Sequence, residues 1–497
     1  MILHAGGKFE RGQEGMALFT VAELREVISV KVLAGDPSPS AKRRIRSIST
    51  DSRSIRRGDL FVALRGDRFD GHQFVPTVLS KGAAGAIVHD GYRWEGKRTK
   101  PTGTRQEPFL FGVQDPLFAY QQLATHHRSR FAIPIVAVTG SNGKTTTKDM
   151  VASVLAQRWR TLKTEGNYNN RIGVPFTLFR LTPRHQAAVI EMGVDHRGQT
   201  TRLCEIVRPT IGLITNIGPD HLEFFGGMEG LAQAKAELLD MLPSHGTAVL
   251  NADDPYFDYL AARARCRVVS FGLFERAHIR AIDVASDDRK GTTFGLVLPG
   301  KSRPTPVAIR VPGTHNVTNA LAAAAVGFSL DLTGVMIAEG LAKFRPAAMR
   351  SQVLTHHGVH IINDCYNANP ASMRAALRLL AEWTPARERI AVLGDMLELG
   401  REAQQMHRDV GRFAAGLGIS QLIVCGELGR EIAAGARQEG MSQQAMHEVA
   451  DASAAADLLK KSVRRGDVVL VKASRGMRME QIVQGLTGIK AVTKQAS

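Results

Sequence analysis

Short apolar runs, each followed by a polar residue, set the rhythm of the middle of this chain: Ile133-Pro-Ile-Val-Ala-Val138, Ala187-Ala-Val-Ile190, Ile211-Gly-Leu-Ile214 and Thr247-Ala-Val-Leu250. Helical spacing flanks and separates them, as over Ala119–Arg130 and Lys148–Gln157. Strands alternating with helices predict βαβ units and a parallel sheet. The same alternation resumes near Ala347, with Val359-His-Ile-Ile362, a helix over Ser372–Trp383, Ile390-Ala-Val-Leu393, a helix near His407–Leu417, Leu422-Ile-Val424 and Val468-Val-Leu-Val471. This predicts a second, smaller doubly wound sheet, with ligands at the carboxyl ends of its strands. Before Asp115 the pattern is of short strands such as Leu60–Leu64 and Ala86–Val88 among turn signals, and polar Glu95–Pro108 reads as a loop. The alanine-rich stretch Ala320–Ala325 reads as a tightly packed helix.

A chain of 497 residues at about 150 per domain agrees with roughly three domains. The expected boundaries are 1–115, 116–346 and 347–497. The formal charge of +17 fits either a solvated basic surface or attraction of anions such as nucleotide phosphates. The basic residues are dispersed and form no long tail, which argues against nucleic acid as a partner. Four widely spaced cysteines without a CxxC pair argue against a disulfide framework or zinc site and fit a reducing cytoplasm. No run of apolar residues approaches a membrane span, and the N-terminus lacks a leader-like apolar core. Residues 1–15 read as a floppy extension ahead of a second possible start at Met16.

The candidate chemistry begins at Thr139-Gly140-Ser141-Asn142-Gly143-Lys144-Thr145-Thr146, between an apolar run and a helix. Glycines let successive N–H groups converge on one anion, and the helix N-terminus adds its positive end. Lys144 then supplies a charge for the β- and γ-phosphates, and Thr145 a hydroxyl for Mg²⁺. The commoner loop has a glycine five residues before Gly143, where Val138 stands here. The expected fold class is therefore α/β in three domains: a small α/β N-terminal domain, a central P-loop parallel-sheet ATPase domain and a C-terminal Rossmann-like domain.

Other constellations are open to plainer readings. Glu191 ends a strand, where either a metal ligand or a solvated carboxylate belongs. Asp220-His221, after another strand, can hold a divalent cation or orient phosphate, although a lone strand-end histidine is more often structural. Lys235 and Glu237 read as a solvated helix face. Gly166-Asn-Tyr-Asn169-Asn170 is either a turn or a set of amides for a sugar or diphosphate. Strand alternation sends His356 and His357 to opposite faces, so with His360 they are not expected to bind zinc.

Taken together, these stretches resemble the Mur ligases, the enzymes that build the peptidoglycan peptide, from about Leu18 onward. The matching runs are Thr50-Asp51-Ser52-Arg53, Asp70-Gly-His72, the loop Gly140–Lys148, Gly166–Asn170 with Ile172-Gly-Val-Pro175, and Glu191-Met-Gly193. They continue with Thr215-Asn-Ile217, His221-Leu-Glu223, Gly313-Thr-His-Asn316 with Asn319, Asp364–Pro370, Leu393-Gly-Asp-Met396 with Glu398-Leu-Gly400, and Lys472-Ala-Ser-Arg475. The resemblance implies that ATP with Mg²⁺ phosphorylates the terminal carboxylate of UDP-MurNAc-tripeptide and that D-Ala-D-Ala attacks the acyl phosphate. It implies a monomer acting in the cytoplasm, with no nucleic acid and no membrane span. It gives Lys144 the transferred phosphoryl group, Thr145 and Glu191 one Mg²⁺, and His221 and Lys235 a second, the lysine often being carbamylated in the family. It gives Asn316 the adenine, and Arg350 and Asp364 an approach to ATP from the third domain. Asp51, Ser52 and Arg53 would hold the UDP end, and Asn169, Asn170, Tyr366, Asn367 and Asn369 would contact substrate. Asp220 departs from the alanine usual before that histidine in the members most alike. Two other readings compete: another Mur ligase or a folylpolyglutamate synthase, and, in a different class, a basic nucleic-acid-binding P-loop ATPase.

Overall fold

The computed structural model describes residues 18–35, 42–66, 69–94, 107–287 and 291–488. The expected N-terminal extension and most of the loop expected over Glu95–Pro108 lie outside the described residues. Three large sheets follow one another along the chain. The first has the order Lys31–Ala34, Phe109–Val113, Gly85–His89, Leu60–Val62, Ile48–Ser49, all parallel except the Lys31–Ala34 edge.

The central sheet has nine strands in the order Thr161–Lys163, Ala187–Glu191, Ile135–Thr139, Ile211–Ile214, Thr247–Asn251, Arg267–Gly272, Ile279–Asp287, Gly291–Val297, Thr305–Ile309. Its parallel strands are apolar throughout because both faces are covered. Alternate residues of one strand enter opposite cores: Ile135 and Ala137 pack with Leu123, Leu203 and Leu238, whereas Val136 and Val138 pack with Met150, Val151 and the alanines of Thr314–Ser329. The alanines at 320 and 322–325, all buried, let that helix lie close to the sheet and to Lys144–Leu155. The first core also takes in Leu60, Val62 and Phe111 of the N-terminal sheet, joined through Tyr120 and Leu123 of the helix Pro116–Ser129. The last two strands of the central sheet run antiparallel and extend the expected parallel array. From Thr292 on, their buried residues alternate with more exposed ones, and the threonines of one strand and Thr305-Pro306 of the other shorten the apolar runs Phe294–Val297 and Val307–Ile309.

The third sheet has the order Gln352–His356, Val359–Asn363, Val468–Lys472, Arg389–Leu393, Gln421–Cys425, Met446–Val449, parallel except for the first pair. That pair is a hairpin whose two-residue turn is His357 (φ 48°) and Gly358 (φ 78°). The turn corrects the expectation for the histidines: His357 leaves the strand, and its ring meets that of His356 with centroids 4.0 Å apart. No group of three or more His, Cys, Asp or Glu side chains stands ready to hold a metal by itself among the described residues. Among the described residues, no helix is long and apolar enough to cross a membrane.

His127 generates a test of the core. It is buried among Phe19, Phe131 and Phe179, its Nε2 donating to the Leu181 carbonyl at 3.1 Å. Burial pushes its pKa down to about 4. The unfolded chain, with an ordinary imidazole near 6.5, therefore binds the proton first, and stability present above about pH 6.5 is lost as the pH falls toward 4. The lost contribution is on the order of 3 kcal/mol. In urea unfolding, His127→Gln should lie below the unmodified chain in stability at pH 7 and close most of that gap at pH 4.5. A gap independent of pH would refute a neutral buried imidazole.

Candidate active site

The phosphate loop leaves the central strand Ile135–Thr139 and enters the helix Lys144–Leu155, which starts four residues earlier than its spacing suggested. Gly140 (φ 138°) and Gly143 (φ 77°) are required by shape as well as by backbone angle. A Cβ on Gly140 would stand 2.0 Å from Thr215 Oγ1, and one on Gly143 would stand 2.3 Å from Asn319 Oδ1. Asn216 fixes the loop between them. Its carbonyl accepts from Ser141 N–H at 2.9 Å, its Oδ1 accepts from Asn142 N–H at 2.9 Å, and its Nδ2 donates to Asn142 O at 3.1 Å. Thr215 Oγ1 also donates to Asn142 O, at 2.6 Å, while Thr139 is fully buried below the loop. Lys144 Nζ donates to the carbonyls of Gly140 (2.6 Å) and Ser141 (2.9 Å), so its ammonium lies over the concavity of its own loop. Thr146 sits half-buried in the first helical turn.

Glu191 is the last residue of its strand and is 1% exposed, not a solvated carboxylate. Its Oε1 accepts from the Thr145 hydroxyl at 3.1 Å and from Asn169 Nδ2 at 2.9 Å. Its Oε2 is buried with no hydrogen-bond partner among the described residues, and the nearest ammonium, Lys148 Nζ, is 4.0 Å away. A bare carboxylate oxygen beside a threonine hydroxyl is the donor set a hard divalent cation takes, with phosphate oxygens and water completing the shell.

Lys235 overturns the expectation of a solvated helix face. It is fully buried, and its Nζ donates to Gly140 O at 3.2 Å. Burial first, then the charge of Lys144, pushes its pKa down to about 7, against the opposite pull of Asp220. Glu237 is engaged too, accepting from Gly198 and Thr201. His221 adopts a left-handed backbone (φ 54°), and its Nδ1 lies 2.5 Å from Glu398 Oε2 of the third domain.

The third domain meets the loop through its Asp364–Pro370 segment. Asn369 caps the helix Pro370–Glu382, and its Nδ2 donates to Asn142 Oδ1 at 2.8 Å. Asp364 accepts from Ser351 N–H at 2.8 Å and from Lys472 Nζ at 2.6 Å, and Lys472 also donates to Asn367 O at 2.9 Å. The Arg350 guanidinium lies 3.9 Å from the Tyr366 ring centre, and burial pushes the Tyr366 hydroxyl up in pKa.

Several expected contact residues are engaged with the protein itself. Asn316 is buried, its Nδ2 donating to Pro312 O at 2.7 Å and its Oδ1 accepting from Asn319. Asn170 Oδ1 accepts from Ile172 and Gly173 N–H, which is a helix-start role. Arg53 forks onto Asp51 through Nε (2.9 Å) and Nη2 (2.8 Å), while Ser52 O accepts from Lys81. The Asp51 charge still reaches Tyr168, whose hydroxyl is pushed up by burial and then by Glu165 and Asp51. Asn216, Asn319 and Glu398 had no individual role in the sequence reading. Asn216 and Asn319 lie inside the resembling runs Thr215–Ile217 and Gly313–Asn319, and that placement was the only signal for them.

Family models match three consecutive parts of the chain: "Mur ligase family, catalytic domain" over 44–108, "Mur ligase middle domain" over 138–327, and "Mur ligase, glutamate ligase domain" over 349–475. A UDP-N-acetylmuramoyl-tripeptide–D-alanyl-D-alanine ligase of Synechocystis is 39% identical over 89% of this chain and 92% of its own. The enzyme of that name from Escherichia coli is 34% identical over 95% of this chain and 99% of its own. Among solved structures, MurF from Acinetobacter baumannii superposes with a TM-score of 0.85 at 31% identity, covering 95% of this chain and 99% of that one. MurF from Thermotoga maritima in complex with ADP gives 0.76 at 27% identity, covering 88% and 96%. On this identity and coverage, the chain belongs to the Mur ligase family.

Proposed function

We propose that the chain joins D-alanyl-D-alanine to UDP-MurNAc-tripeptide through an acyl phosphate, releasing ADP and phosphate. The observation that carries this reading is the Asn369–Asn142 contact, which sets the third domain's strand-end loop on the phosphate loop. Its chemical problem is an anion attacking an anion, so positive charge must be concentrated where the two meet. Lys144 leaves the loop carbonyls and stabilises the γ-phosphoryl group. A tripeptide carboxylate oxygen forms the new bond to phosphorus as the bond to the β-phosphate oxygen breaks. The dipeptide amine, having lost its proton, then attacks the acyl carbon, and phosphate leaves.

Thr145 and Glu191 would hold one Mg²⁺, and His221 with Lys235 a second, where the cations would neutralise phosphate charge. Lys235 suits that role only as a carbamate: its depressed pKa leaves a neutral amine available to take up CO₂, with loss of a proton. Arg350 and Asp364 approach ATP, Asn316 serves the adenine by orienting the start of its helix, and Asp51, Ser52 and Arg53 face the UDP end near Tyr168. Asn169, Asn170, Tyr366 and Asn367 line the substrate path. We assign 1–115 to UDP-substrate binding, 116–346 to ATP and 347–497 to the amine substrate. The four free cysteines fit a reducing cytoplasm, where we take the chain to act as a monomer.

Phosphate release with UDP-MurNAc-tripeptide should require D-Ala-D-Ala, and turnover with single amino acids alone would overturn the assignment. Lys144→Ala should reduce turnover on the order of a thousandfold with an unchanged circular-dichroism spectrum. Near-normal ligation would remove Lys144 from the reaction. With ¹³C-bicarbonate at pH 8, Lys235 should give a carbamate carbonyl resonance that Lys235→Ala lacks, whereas identical spectra would exclude the modification.

A further inference from the structure

The dipeptide must offer its amine to the acyl phosphate while its other end is held. That other end is a carboxylate, about 7 Å from the amine in an extended two-residue chain. A crevice in the third sheet is placed to receive it. Strand Val468–Lys472 lies between Val359–Asn363 and Arg389–Leu393. The chain leaves Asn363 for the helix Pro370–Glu382 on one face of the sheet and leaves Lys472 for the helix Glu480–Thr487 on the other. Loops that part in this way open a ligand crevice at the carboxyl ends of the strands.

Arg475 stands at this crevice, just past the strand end. Ser474 beside it ties the walls together: its Oγ accepts from Leu397 N–H at 2.9 Å and donates to the Ala368 carbonyl at 3.4 Å. Both walls reach the central domain, one through Glu398 on His221 and the other through Asn369 on Asn142. The Arg475 side chain is 33% exposed, and its Nη1 lies 2.8 Å from Oε2 of buried Glu480, though neither atom makes an aligned hydrogen bond. Its Nε and Nη2 have no hydrogen-bond partner among the described residues. A guanidinium held at one nitrogen by a carboxylate, with its other edge unengaged, is a fork for a second carboxylate. The neighbouring cations are committed elsewhere, Lys472 to Asp364 and the Asn367 carbonyl, Arg350 to the Tyr366 ring. Leu397 is 44% exposed, and a Cβ on Gly476 would stand 3.0 Å from its Cδ1, so an open apolar side chain lies against the backbone next to Arg475.

We propose that Arg475 binds the carboxylate of the incoming amine substrate through its Nε and Nη2 edge, with Leu397 lining the path of the methyl groups. The crevice thereby selects amines that carry a terminal carboxylate. Glu480 is a positioning residue that holds the guanidinium at the strand end.

The inference rests on the ligation proposed above and names the residue that reads its amine substrate. Arg475→Met removes the fork and keeps most of the bulk. D-Ala-D-Ala and its C-terminal amide are compared as substrates. The unmodified chain should prefer the free acid by about thirtyfold or more in kcat/KM, and Arg475→Met should shrink that preference to about threefold or less. The loss should fall on the KM for the free acid and leave the KM for ATP unchanged. A preference that survives in Arg475→Met, with turnover lowered equally for acid and amide, makes Arg475 only the partner of Glu480 and overturns the proposal. A rise in the KM for ATP in place of that for the dipeptide overturns it as well. Should Arg475→Met leave Glu480 unpaired and not fold, the double variant with Glu480→Gln is read by the same ratio. The ratio is taken on whichever amine substrate the unmodified chain ligates, so a chain that used a single amino acid would overturn the dipeptide reading and still test Arg475 against that amino acid's amide.

Discussion

Asn142 is the point on which the architecture turns. Its N–H and C=O are both committed to Asn216 and Thr215, so the loop cannot drift from the strand ends of the central sheet. Its side-chain oxygen is the acceptor for Asn369, so the same residue fixes where the third domain rests. One amide thus joins the curvature of an anion-binding loop to the placement of a domain more than two hundred residues further on. Backbone groups pinned in this way hold their dipoles in place before the nucleotide arrives, which is the condition for electrostatic stabilisation to be effective.

The charged groups around this point share a pattern: each is buried or half-buried and held by a weak or provisional partner. Lys144 lies on main-chain carbonyls, Lys235 on one of the same carbonyls, and Glu191 keeps one oxygen bare. Lys472 is more firmly held by Asp364 and serves as the strut of the third domain's loop. The contrast separates groups that must change partners during a reaction from groups that must not. Left-handed backbone angles at His221, Met349, Ser351 and Glu398 gather at the junction of the same two domains, where strain is tolerated because the contacts on both sides determine it.

The sequence was most legible where physics is local. The parallel strands announced themselves because both faces are buried, and the glycine loop because only that backbone fits beneath Thr215 and Asn319. Legibility failed where partners are distant in the chain. Lys235 looked like a solvated helical residue because nothing nearby in sequence says that a sheet and a phosphate loop close over it. Asn170 and Asn316 read as ligand amides; Asn170 Oδ1 and Asn316 Nδ2 also hold helix starts, a role that short polar side chains fill equally well and that their sequence context does not separate from ligand binding. The antiparallel strands at Gly291–Val297 and Thr305–Ile309 escaped because threonine, glycine and proline confine their apolar runs to Phe294–Val297 and Val307–Ile309. His357 escaped strand alternation because a two-residue turn starts where the alternation was assumed to continue.

The resting place of Lys144 bears on how a turnover finishes. Its ammonium donates to the carbonyls of Gly140 and Ser141. Those carbonyls are an internal rival for the lysine, always present and needing no diffusion. A nucleotide holds the side chain only while its terminal phosphate outcompetes them. Once the γ-phosphoryl group had moved to the acceptor in the proposed reaction, these carbonyls would reclaim the lysine and the diphosphate would lose a ligand. On that reading, the loop that would capture the nucleotide would also help to discharge it.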